Sequence, residues 1–148
     1  MKYTTNTTEE MIALGEKIAS QLTGGDIILL QGELGAGKTT MSKGIAKGLG
    51  ITDEIVSPTF TLMNVYNVVE SQKSEVKSIV HIDTYRLENA DSLIEIGVED
   101  YLGQPNVITI IEWPEKIKEL LNNKKIIEIS IVKQSDNNRE ITITPDIF

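Results

Sequence analysis

The sequence predicts an α/β fold: a mostly parallel central sheet flanked by helices, with antiparallel strand additions. Three observations carry this. Short apolar runs at residues 27–30, 78–83 and 106–112 alternate with helical patterns, as the strands of a covered parallel sheet do. The first run leads into residues 32–39, G-E-L-G-A-G-K-T, which satisfy G-x-x-x-x-G-K-[ST] between a strand and a helix. The chain closes on I-I-E-I-S-I-V and E-I-T-I-T, whose alternation marks an antiparallel hairpin with one buried face. The fold expected is that of a P-loop NTPase, and 148 residues suit a single domain over residues 1–148.

In chain order, Thr7-Thr8-Glu9-Glu10 reads as a capping box, with Thr7 as N-cap and Glu10 at the third helical position. Met11, Leu14, Ile18 and Leu22 then form one apolar helix face, and Gly24-Gly25 stops that helix before the P-loop strand. The helix after the loop runs to about Gly48-Leu49-Gly50. Pro58 forces an extended entry into a strand over residues 61–69, and polar residues 70–77 suggest a hairpin loop. The run 78–83 ends in Asp83. It holds the sole histidine, His81, and a lone histidine on a strand is more often packed or hydrogen-bonded than a ligand. Residues 89–96 read as a short helix capped by Asn89 or Asp91, broken by Gly97, with a turn over 98–102. The run 106–112 ends in Glu112, and Pro114 suits the first position of a short helix over 115–121. Residues 124–133 and 139–144 form the closing hairpin around the polar loop 134–138.

Composition narrows the function classes. The chain has no cysteine, so a disulfide framework or a thiolate metal site is excluded. No apolar run approaches membrane-spanning length and the first residues lack the apolar core of a signal peptide, so the cytoplasm is expected. The net charge is −8, and Arg86 and Arg139 are the only arginines. Such a chain is badly suited to grip a nucleic-acid backbone by itself.

The P-loop carries the clearest chemistry. Its glycines let successive N–H groups turn toward phosphate oxygens, and the helix that follows adds the positive end of its dipole. In such a loop Lys38 reaches the β- and γ-phosphates and the Thr39 hydroxyl ligates Mg²⁺, so a nucleoside triphosphate with magnesium is the expected ligand. A glycine-rich turn that binds nothing is the bland alternative, and the complete pattern in its strand-loop-helix setting argues against it. P-loop enzymes also need a carboxylate at an apolar strand end, and Asp83 and Glu112 both qualify. Spacing leaves open which holds the metal, which orients water, and whether one merely caps a helix or pairs with Lys38 or Arg86. Trp113 stands past a strand end and before a proline, between a role at the site and a place in the core. Thr7 or Thr8 is placed near the nucleotide by the helix, though capping is the commoner role. Thr59 lies where other P-loop enzymes carry a switch-like segment, its bland reading being a proline-marked strand start.

Among enzyme classes, a GTPase needs an Asn/Thr-Lys-x-Asp motif, and Asn123-Lys124-Lys125-Ile126 lacks the aspartate. A small-molecule kinase, the alternative reading, usually brings several arginines to clamp the phosphoryl group, and two make it lean. A hydrolase coupled to a partner needs fewer parts. The set G-E-L-G-A-G-K-T-T, S-P-T-F-T, H-I-D-T-Y-R-L, E-I-G-V-E-D-Y-L and I-E-W-P-E, in this order and spacing, resembles the TsaE (YjeE) family over residues 7–139. These are bacterial ATPases required for threonylcarbamoyladenosine modification of tRNA. The resemblance implies that Thr39 and Glu112 ligate Mg²⁺, with Asp83 the carboxylate needed for hydrolysis and counted in the metal set. Leu34, Gly35, Ala36, Gly37, Lys38 and Thr39 would cradle the ATP phosphates with Thr40 beside them. Thr59 would sit in a switch-like loop, Trp113 close to the site, and Thr8 and Asn138-Arg139 near the adenosine. The implied partners are the threonylcarbamoyl transferase TsaD and its companion TsaB, with tRNA met only through their complex. The chain departs from the family at Asn138, where a glycine is common, so the 134–138 loop is expected to turn differently.

Overall fold

The computed structural model describes residues 1–58, 62–69, 75–86 and 91–148. The expectations for Thr59, for loop residues 70–74 and for Asn89 fall outside these residues. The described strands are β1 (Lys2–Thr5), β2 (Ile27–Gln31), β3 (Met63–Asn67), β4 (Ser78–Asp83), β5 (Val107–Glu112), β6 (Ile126–Lys133) and β7 (Arg139–Thr144). They form one sheet in the order β1-β7-β6-β2-β5-β4-β3. β6, β2, β5 and β4 run parallel, while β3 joins β4, β7 joins β6 and β1 joins β7 antiparallel. The mixed architecture is the one expected, with two differences. β1 has no counterpart in the sequence reading, and β6, expected as one half of the closing antiparallel hairpin, also pairs parallel with β2. β2 and β5 are buried along almost their whole length because layers cover both faces, which is why they are apolar without alternation.

Helix α1 (Thr8–Ala19) opens as predicted: the Thr7 hydroxyl accepts from the Glu10 N–H at 3.0 Å. The Glu10 carboxylate accepts in return from the Asn6 N–H at 2.6 Å, one residue earlier than the usual box. The helix ends at Ala19, before the glycine pair, yet Leu22 remains buried beneath it. Helix α2 (Lys38–Gly48) follows the P-loop, and α3 (Asp91–Glu95) is short. Residues 98–100 and Pro114–Leu121 are 3₁₀ turns. The helix expected after Pro114 is therefore broken, because Ile117 has non-helical backbone angles while its side chain is buried.

The α1–α2 layer covers one face, packing Met11, Leu14, Ile18, Met41 and Ile45 over Ile28, Leu30, Ile108, Ile110 and Ile129. The two helices touch backbone to backbone. A Cβ at Gly44 would lie 2.4 Å from the Ile12 carbonyl oxygen, so only glycine permits this approach. The opposite face packs Ile27, Leu29, Val80, Ile82 and Ile111 against Leu93, Val98, Leu102, Ile117 and Leu121. Side chains alternate along a strand, so Asp83 and Glu112 share the α1–α2 face with Ile79, Ile108 and Ile110.

Candidate active site

The P-loop leaves the end of β2 and enters α2 through Gly37, whose φ of 114° is a left-handed conformation that a side chain would strain. No side chain bonds the N-cap of α2 and no acidic residue stands in its first turn, so the helix's own residues do not offset the positive end of its dipole. Lys38, only 6% exposed, folds back under the loop. Its ammonium donates to the carbonyls of Gly32 at 2.6 Å and Glu33 at 3.1 Å and lies 4.2 Å from the Trp113 ring centroid. Burial pushes the Lys38 ammonium below the usual lysine value, opposed by the nearby carboxylates of Glu112, Asp83 and Glu115.

Parallel pairing sets Asp83 directly opposite Glu112, beside the end of β2. The Asp83 carboxylate accepts from the Ser57 hydroxyl at 3.1 Å and the Tyr85 N–H at 2.9 Å. The Glu112 carboxylate meets His81 Nε2 at 2.7 Å, with both side chains buried. Thr84 ties the two strand ends together: its N–H and hydroxyl donate to the Glu112 carbonyl, and the hydroxyl also donates to the Trp113 carbonyl. Trp113 takes a left-handed backbone at φ 59° and rests against Tyr85, ring centroids 5.0 Å apart, so it belongs to the site rather than the core.

Among the clefts that the loop borders, two meet at Gly35, Gly37 and Thr40. The larger, about 490 Å³, falls in the range of small-molecule sites and is lined by Leu34, Lys38, Thr39, Asp83, Glu112 and Trp113, among others. The smaller, about 170 Å³, is lined by Thr8, Ala36 and Arg139. The structure thus gathers Lys38, Thr39, Asp83 and Glu112 on one side of the loop and Thr8 with Arg139 on the other. Arg139 is also a brace. Its guanidinium donates to the Ala36 carbonyl at 3.0 Å and to the carbonyls of Ser135 and Asp136, while Asn138 donates to the Asn6 side chain at 2.8 Å.

Ser57 and His81 had no assigned place at the site in the sequence reading. The alternation in H-I-D was a signal for His81, since it puts His81 and Asp83 on one strand face. For Ser57 only its place in S-P-T-F-T pointed the way.

A phosphate-type loop between a central parallel strand and its helix, with acidic ends on the neighbouring parallel strands, defines the P-loop NTPase fold. Comparison with known proteins narrows the class. Residues 5–141 match the family model described as threonylcarbamoyl adenosine biosynthesis protein TsaE. A Bacillus subtilis protein named tRNA threonylcarbamoyladenosine biosynthesis protein TsaE is 38% identical over 144 residues, covering 97% of this chain and 85% of that one. Its Treponema pallidum namesake is 35% identical over 143 residues, covering 97% and 99%. The crystal structure of Bacillus subtilis YdiB superposes with a TM-score of 0.72 at 34% identity, covering 97% of this chain and 83% of that one. The chain belongs to the TsaE family.

Proposed function

We propose that this protein is the Mg²⁺-dependent ATPase subunit of tRNA threonylcarbamoyladenosine synthesis, a single-domain cytoplasmic protein that acts on the TsaD–TsaB complex and sustains its repeated turnover. The observation that carries this reading is the convergence of Lys38, Thr39, Asp83 and Glu112 on one cleft at the start of α2, in a TsaE-family chain. A hydroxyl and two carboxylates are the hard oxygen donors that magnesium takes. Thr39 and Glu112 hold the ion, which when bound supplies neutralising charge to the phosphates.

The loop amides and Lys38 bind the triphosphate, and the cleft beside Thr8 and Arg139 receives the adenosine. Asp83, pinned by Ser57 and the Tyr85 N–H, orients the attacking water. The water oxygen bonds to the γ-phosphorus as the bond from that phosphorus to the bridging oxygen breaks, giving ADP and inorganic phosphate, which carries away the water's two protons. The transfer chemistry and the tRNA stay with TsaD, in keeping with the net charge of −8.

The test is multi-turnover tRNA modification with TsaD, TsaB, ATP and the threonylcarbamoyl-adenylate donor. The wild type sustains many turnovers, while Lys38→Ala and Glu112→Ala fall to the level without added protein. If the wild type also stays at that level, the reading fails, and phosphorylation of a small-molecule acceptor would put a kinase in its place.

A further inference from the structure

His81 is the one buried histidine and has no task in the reaction just described. We infer that His81 is the positioning residue of Glu112: its Nε2–H holds Oε2 and so leaves Oε1 for the cleft that Glu112 lines. This deepens the ATPase reading and rests on it for its consequence, since an aimed carboxylate matters because Glu112 is assigned to the metal.

The sheet makes the pairing possible. Asp83 stands opposite Glu112, and His81 lies two residues earlier on the same face, diagonal to Glu112 across two parallel strands. The side chains are 1% and 4% exposed, so water does not replace the bond if it is lost. A carboxylate offers only acceptors, which assigns the ring proton to Nε2. Nδ1 is buried without a partner among the described residues. A glutamate side chain has three rotatable bonds, and with one oxygen fixed its other oxygen is held toward the cleft that Lys38 and Thr39 also line.

Because the chain has one histidine, a ¹⁵N-imidazole spectrum of the intact protein reads this residue alone. A protonated Nε2 with slow proton exchange is expected, and a bare Nε2 overturns the inference. The second measurement titrates Mg²⁺ into each protein with a non-hydrolysable ATP analogue, following analogue binding. His81→Leu fills the space without a donor and is expected to need about tenfold more Mg²⁺, the lower end of what loss of a ligand's supporting bond costs. Its analogue affinity in EDTA stays at the wild-type value. His81→Gln, whose amide nitrogen replaces Nε2, recovers most of the Mg²⁺ response. An unchanged requirement in His81→Leu, or no recovery in His81→Gln, overturns the inference. A wild type that binds no analogue with Mg²⁺ sinks the ATPase reading instead, while the imidazole spectrum still decides the His81–Glu112 bond.

Discussion

The two faces of the sheet are covered in different ways. On one, α1 and α2 are regular helices in backbone contact through Gly15 and Gly44. On the other, the five-residue α3 and the 3₁₀ turns cover the sheet with apolar side chains and little regular backbone. Asp83, Glu112 and the start of α2 all belong to the first face. The layer whose positions must hold to a fraction of an ångström is built from long elements locked by glycine, and the layer that need only exclude water is built from short pieces.

Gly44→Val should break the first layer. Its Cβ meets a backbone carbonyl at 2.4 Å, so we expect a loss of about 4 kcal/mol in urea unfolding, above the usual range for overpacking, with nucleotide binding lost as well. Leu93→Ala empties the second layer and should cost about 3 kcal/mol, while the folded fraction keeps wild-type nucleotide affinity. Equal loss of affinity in both variants would erase the distinction between the faces.

Arg139→Ala sharpens the contrast, because Arg139 supports the P-loop from β7, outside the helical layer. The variant loses the bond to the Ala36 carbonyl together with those to Ser135 and Asp136, and should weaken nucleotide binding by about tenfold, or roughly 1.4 kcal/mol, with a smaller loss in unfolding than either variant above. A large fall in stability instead would make β7 part of the rigid frame.

The smallest effect is in pH. Lys38 is held below the usual lysine value of 10.5 by burial at the start of α2, and a bound triphosphate favours its charged form. Binding then takes up a proton wherever free Lys38 has lost one. Affinity should fall as pH rises through the lowered value toward 10.5, by at most about tenfold per pH unit. An affinity flat across that window would mean that the lysine is not depressed.

Much of this was legible in the sequence, for physical reasons. The P-loop is local, so strand, glycines, lysine and helix lie within a few residues of one another. β4 was read to the residue because Asp83 ends it abruptly. β1 was not legible. Its K-Y-T-T is short and polar, and it is a strand only because β7 offers an open edge. The interior place of β6 was hidden too, since its alternation suits an edge hairpin as well as a strand beside β2. The bond from His81 to Glu112 spans 31 residues and follows from strand register, and that from Ser57, which stands outside every strand, to Asp83 spans 26; no local pattern encodes either. Arg139 was expected beside the adenosine from the family resemblance, but its bond to Ala36 crosses 103 residues and appears only in the folded chain.

The pairing of Asp83 with Glu112 also constrains how the chain can change in length. Deleting one residue within β5 would move Glu112 into the place of Ile111, turning the carboxylate into the apolar layer and leaving Trp113 to face the cleft. A change of two residues would restore the orientation and shift only the position along the strand. The site is thus written in parity as well as in identity: β4 and β5 tolerate substitutions far better than odd insertions or deletions, while the loop at 134–138 is free of that arithmetic.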